Sequence, residues 1–295
     1  MKRLFIFAFL YIVLSPDFCL ALDWKKLHNH SRQISLEEAA RQQKKDPLSI
    51  EKNYLLGLVS LDAYQNKRAM EAFSDILKMD KGNVAAKWGK AEVLRRQHKL
   101  KESEELIKEE VLSRDKNFAP AYISLGYIKY LQMDFAQSAK FCAKVINLKE
   151  DNVDLTTMVR AHSIYAASKG MLAHYGNAWT KLTHFNAIRR HLKMAEKLDP
   201  EAAEVYLGWG SYYMLMPSLL GQNFEKARKL ILKAIEQNPH LPETYVRLAQ
   251  VCRKMGNFVD YERNIQKALD LDPGNELALD IQSGRCRFIC LKDVE

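Results

Sequence analysis

The residue types most often used for chemistry are present as eight histidines and five cysteines. His28, His30, His98, His162, His174, His184, His191 and His240 include no His-Glu-x-x-His pair. That pair would set two imidazoles on successive helical turns for zinc, with a glutamate as base. His184 and His191 lie two turns apart and share a helix face, a spacing that packing or solvation explains more simply than a metal. Cys286 and Cys290 have half the spacing of a zinc site, but no second Cys or His pair completes four ligands. Cys142 and Cys252 fall at inward positions, where a thiol acts as a small apolar side chain. No Gly-rich phosphate loop and no Gly-x-Ser-x-Gly elbow occurs. The pattern is that of a protein with no catalytic residues, no metal site and no cofactor.

A second set of residues suits binding. Tyr54, Trp88, Arg95, Arg96, Tyr127, Tyr130, Arg253 and Lys254 combine large aromatic area with charge that pairs to carboxylates. What positions them is a repeated helical pattern. Its clearest copy is residues 242–275, where Tyr245, Leu248, Ala249 and Cys252 recur at three- and four-residue steps on one helix face. Gly256 and Asn257 mark a turn. Tyr261, Ile265, Ala268 and Leu269 then form the inner face of a second helix, which ends at Asp272-Pro273-Gly274 because proline cannot continue the ladder.

This unit resembles the tetratricopeptide repeat (TPR), with its ~34-residue period of paired helices. The resemblance implies an all-α fold, a right-handed superhelical solenoid of helix-turn-helix hairpins whose first helices line a concave groove. Six repeats are expected, at 50–83, 84–118, 119–152, 153–202, 203–241 and 242–275. A degenerate capping hairpin at 22–49 precedes them, with Ser35 and Glu38 as a capping box. A capping helix and tail, 276–295, follow. In the second repeat Lys90 stands where the pattern has Leu, so its placement rests on spacing. The fourth is longer than the period, which predicts an extended hairpin or an inserted loop at Gly176-Asn177. In the groove Trp88, Tyr127, Arg95 and Arg96 are expected to face a partner and to contribute little to folding; the alternative is that some of the aromatics cover neighbouring helices. TPR proteins that clamp carboxylate tails carry Lys and Asn in that region; Tyr54 and Trp88 stand there instead.

The fifth repeat inserts Met216-Pro217-Ser218-Leu219-Leu220-Gly221 between its helices. Gly210-Ser211-Tyr212-Tyr213, then Pro217-x-Leu219-Leu220-Gly221, then Glu225-Lys226-Ala227 resemble the T component of tripartite ATP-independent periplasmic (TRAP) transporters. These are TPR-like helical proteins thought to assist a solute-binding partner. Gln222 replaces a second glycine. Pro217, Leu220 and Gly221 are the loop's candidate binding residues.

Residues 1–21 read as a secretory leader. Lys2-Arg3 is the positive end, the apolar run 4–14 is shorter than the ~20 residues that span a bilayer, and Cys19-Leu20-Ala21 is a small-x-small cleavage site. No stable transmembrane anchor is expected. The whole chain carries a net charge of +9, and losing the leader lowers it by one. For an exported protein this excess points to acidic proteins or anionic surfaces rather than nucleic acid. The expected function is a periplasmic or secreted scaffold that binds a protein or peptide, acidic in character, during envelope or secretion assembly. A homo-oligomer is compatible with it. The alternative is an accessory subunit of solute uptake, with a pocket near 217–221 for a small anionic ligand.

Overall fold

The computed structural model describes residues 22–148, 152–285 and 287–288. The leader and the Cys286 and Cys290 pair lie outside the described residues. Two short helices, α1 (Trp24–Ser31) and α2 (Leu36–Lys45), open the chain. Three hairpins follow: α3 (Ile50–Asp62) with α4 (Asn66–Met79), α5 (Val84–Arg96) with α6 (Leu100–Leu106), and α7 (Ala119–Leu131) with α8 (Phe135–Ile146). The second helix of the middle hairpin is extended by a π-type segment, Ile107–Val111. Three more hairpins complete the array: α9 (Leu155–Tyr175) with α10 (Ala178–Leu198), α11 (Ala203–Leu215) with α12 (Phe224–Gln237), and α13 (Pro242–Lys254) with α14 (Phe258–Leu271). A short α15 (Glu276–Gln282) closes it. The result is a right-handed all-α solenoid.

Short polar residues start most of these helices. Ser35, Ser49, Asn83, Asp134, Asp154, Asn177, Asn223, Asn257 and Asn275 each accept a backbone N–H from the first turn. Such a cap stabilises its helix by about 1 kcal/mol. In the fourth hairpin Asn177 caps α10 directly after the Gly176 turn, so the extra length went into two long helices and not into a loop.

Close contact between helices is set by small residues. Phe73, fully buried on α4, lies against Gly57 on α3 and Gly89 on α5. A Cβ at either glycine would come within 2.4 or 2.5 Å of its ring. Ala69, Ala227, Ala234 and Ala268, on second helices, are wholly buried.

Two features depart from an open array. The first is α1, which turns inward and packs against α3 and α9. Trp24 and His28 contact the rings of Phe118, Tyr54 and Trp88, so the chain's own start fills the groove of the first three hairpins. The second is the closure of the superhelix: a single apolar core unites Tyr130, Leu131, Phe135 and Met171 with Tyr245, Val246, Ile265, Leu277 and Phe288. The last hairpin and its cap thereby pack against the third and fourth hairpins.

Candidate functional site: the inner wall

Most of the groove set is consumed by these two contacts, which corrects the expectation of an open aromatic groove. Tyr54 is completely buried and its hydroxyl shares a 2.9 Å hydrogen bond with His28 Nε2. Trp88 is 4 % exposed and donates its indole N–H to Ser124 Oγ at 2.9 Å. Tyr130 is buried and stacks on Phe288. The physical reason is that a groove between first helices is apolar surface, and covering it with the chain's own α1 and α15 is favourable at roughly 25 cal/mol per Å².

The α1 plug is fixed by polar contacts as well. His28 Nδ1 stands 3.5 Å from the carboxylate of Asp154, the cap of α9, and both side chains are buried. Burial pushes the Asp154 carboxyl up, but hydrogen bonds from His28 and Thr157 outweigh it and hold the group below its usual range. Asn29 Oδ1 accepts the Leu155 N–H at 3.3 Å, and Arg32 pairs with Asp199.

Arg95, Arg96 and Tyr127 are brought together. They line a cavity with Tyr64, His98, Glu243, Asp272 and Glu276, where the sixth hairpin meets the second and third. Its interior is about 20 Å³, room for roughly one water and too small for a solute. Arg95, itself buried, pairs with buried Glu92 at 3.0 Å and stacks over the Tyr127 ring at 4.7 Å. Burial would raise the Glu92 carboxyl, yet Arg95 and then Arg160 hold it down to about 2. Arg96 stacks over Tyr64 at 4.3 Å and donates to the Leu61 carbonyl. The Tyr127 hydroxyl donates to Glu243; burial first, then that carboxylate, pushes its pKa well up. His98 Nε2 lies 2.8 Å from Asp272 Oδ1, and this bond raises the imidazole pKa against the opposing effect of burial. Gly274 makes the approach feasible, since a Cβ there would lie 2.2 Å from the His98 ring.

Arg253 and Lys254 are not part of this cluster. Arg253 is half-buried over the ring of Tyr261 on α14, at 5.3 Å. Pro217 and Gly221 are exposed in the inserted loop, and Leu220 is 59 % exposed. Ser218–Leu220 forms a single 3-10 turn that ends at Gly221 with φ 108°, a left-handed conformation suited to glycine.

Beside Arg96 the inner wall carries three charges missed in the sequence, Asp62, Arg160 and Glu204. Asp62 at the end of α3 is solvent-accessible on the wall of the bore; desolvation by its surroundings pushes its carboxyl pKa up, against the opposing charges of Arg96 and then Arg160. Arg96, Arg160 and Glu204 are half-buried. Tyr64 and His98 were also missed. Their signal was available: both follow a first helix at the position where the clearest repeat has Gly256. Among the described residues no group of three or more His, Cys, Asp or Glu is arranged to hold a metal. Chemically the wall offers ion pairing and hydrogen bonding to another molecule.

Solved structures with this fold include three of informative similarity. A tetratricopeptide repeat protein from Parabacteroides merdae aligns over 88 % of this chain and 97 % of its own, at 13 % identity and a TM-score of 0.52. The Cut9–Hcn1 hetero-tetramer of APC/C aligns over 86 % of this chain and 47 % of its own, at 10 % identity and TM-score 0.58. Human IFIT1, solved as a dimer with m7Gppp-AAAA, aligns over 79 % and 55 %, at 17 % identity and TM-score 0.53. At these identities the likeness is one of fold. A comparison with curated proteins returns no match. The family model described as TRAP transporter T-component matches residues 129–287, more than half of the chain. That stretch begins in α7 and takes in the inserted loop, the long fourth hairpin and the closing cap, and by this match the chain belongs to the TRAP transporter T-component family.

Proposed function

We propose that this protein is an exported, non-catalytic subunit of a TRAP-type solute-uptake system, which holds a partner protein against the open part of its inner wall. The observation that carries the reading is the family match over 129–287. Contact with a protein is favoured by the charges of the inner wall, while the apolar groove is filled by α1 and the cavity around Arg95 and Tyr127 has room for about one water. The docking residues in this reading are Asp62, Arg96, Arg160 and Glu204, a set with both signs of charge that suits a partner segment with both signs. Such complementarity governs register and association rate. The broader role, a scaffold for protein contacts in the envelope, rests on the repeat fold alone.

Affinity capture from native envelope fractions, followed by mass spectrometry, tests the proposal. A solute-binding protein should be recovered with the chain. Asp62→Lys with Glu204→Lys should then weaken its binding by roughly thirtyfold, the effect of losing about 2 kcal/mol at an interface. Melting temperature should be unchanged, because Asp62 is exposed and Glu204 only half-buried. Recovery of unrelated proteins only, or unaltered affinity in the double variant, would overturn the reading.

A further inference from the structure

The turn joining the two helices of each hairpin lies on one edge of the solenoid, because successive first helices pack side by side: α9 on α11 and α11 on α13. In the last three hairpins this edge is apolar. Tyr175 and Trp179 flank the α9–α10 turn and are 54 % and 72 % exposed. Leu220 tops the inserted loop at 59 %, and Met255, Phe258 and Val259 flank the α13–α14 turn at 41, 62 and 69 %. These are six of the eleven large apolar side chains that are exposed among the described residues. They converge on a single edge of one half. The corresponding turns of the first three hairpins carry Tyr64, His98 and Met133, none of which is exposed.

We infer that this edge docks on the surface of an anionic lipid bilayer. Four observations favour a bilayer over a protein. The side chains stand at three separate turns. A fluid interface accepts separate projecting tips, whereas a protein interface needs close shape complementarity. Trp179, with an apolar body and a polar edge, is of the type that settles at the headgroup level, whereas Tyr175 stacks on Phe135 and donates its hydroxyl to the Arg287 carbonyl. The same turns carry Lys181, Lys226, Arg253 and Lys254 against Glu225 and Asp260, and Asp260 is paired with Arg263. A basic surplus beside aromatic tips draws a protein to acidic headgroups. Among the described residues no helix is long and apolar enough to cross a membrane, so the contact is of a kind that lies on the interface. The inner wall would then stay free for a partner, and the inference does not depend on who that partner is.

Sedimentation with vesicles of phosphatidylglycerol and phosphatidylcholine, and with phosphatidylcholine alone, tests this, using the same N-terminus in every sample. The protein should sediment with the anionic vesicles and less with the neutral ones, and should be released as salt rises, since screening acts over ~10 Å at about 0.1 M. A blue shift of indole emission should accompany binding and be lost in Trp179→Ser. Phe258→Ser with Val259→Ser should lower partitioning by roughly tenfold or more, with an unchanged melt because both residues are exposed. Absence of binding to anionic vesicles, equal binding to both vesicle types, or equal partitioning of the variants would overturn the inference. So would a vesicle-free dimer that these substitutions dissolve, which would assign the edge to a second copy of the chain.

Discussion

The first three hairpins and the sixth use the same turn in opposite ways. After α3, α5 and α7 the chain enters the left-handed region with non-glycine residues: Tyr64 at φ 55°, His98 at 61° and Met133 at 64°. After α13 it does so with Gly256, at φ 79°. An L side chain in this conformation costs roughly 1–2 kcal/mol, so the first half carries strain that glycine would remove. In return, Tyr64 stacks with Arg96, His98 binds Asp272, and Met133 packs into the core that joins the third hairpin to the sixth. The sixth hairpin leaves its turn relaxed and places Phe258 and Val259 just beyond it, facing water. One repeat design thus closes the solenoid on one side and displays apolar tips on the other. The residue at the left-handed position distinguishes the two uses.

The strongest way to break this contrast is to empty the filled half. Trp88→Ala should destabilise the fold by about 3–5 kcal/mol, the range for deleting a large buried aromatic, and should loosen α1. Thermal melts and proteolysis near Trp24 would show it; a wild-type melt would mean that the groove is open. Arg95→Ala should cost nearly as much, about 3–5 kcal/mol, because it leaves Glu92 buried without its partner. Arg95→Ala with Glu92→Met should recover part of the loss in the same melts.

Smaller effects sharpen the comparison. Gly274→Ala should cost about 1–3 kcal/mol by overpacking, since the new Cβ meets the His98 ring. The expected sign is increased amide exchange in α15 and the end of α5 together, while α9–α12 stay protected. Exchange raised in α9–α12 alone would show that the contact does not hold the ends together.

Titration separates the halves further. His98 has a raised pKa, so its stabilisation is present below the unfolded value of ~6.5 and fades as pH rises through the folded one. His191, on α10, is the reverse case. Its Nδ1 lies 2.8 Å from that of His162, and burial, followed by His162, Arg190 and Lys169, lowers its pKa to about 4. Stability from this group is present above pH ~6.5 and is lost as pH falls toward the folded value. His191→Gln should flatten the acid limb of the melting profile, and His98→Gln the opposite limb; an unchanged profile in either variant removes that histidine from the account. The smallest effect is expected at the displayed edge, where Phe258→Ser should change stability by no more than about 0.5 kcal/mol.

The sequence by itself determined the hairpins, through local rules that read out over a few residues. Three- and four-residue apolar spacing set the helix faces, Asn, Asp and Ser set the starts, and the turn at Asp272-Pro273-Gly274 set the end of α14. The loop residues 210–227 also carried the family resemblance. What only the tertiary structure decided was which faces remain free. Tyr54, Trp88, Arg95 and Tyr130 occupy the spacing of groove residues, and nothing within a repeat says whether water, a partner or the chain itself will cover them. That depends on how tightly the superhelix curls and on where α1 comes to rest, both sums of small angles and contacts over six hairpins. Apolar surface is buried by whatever reaches it first in space, and here α1 and α15 reach the inner wall from the two ends of the same chain.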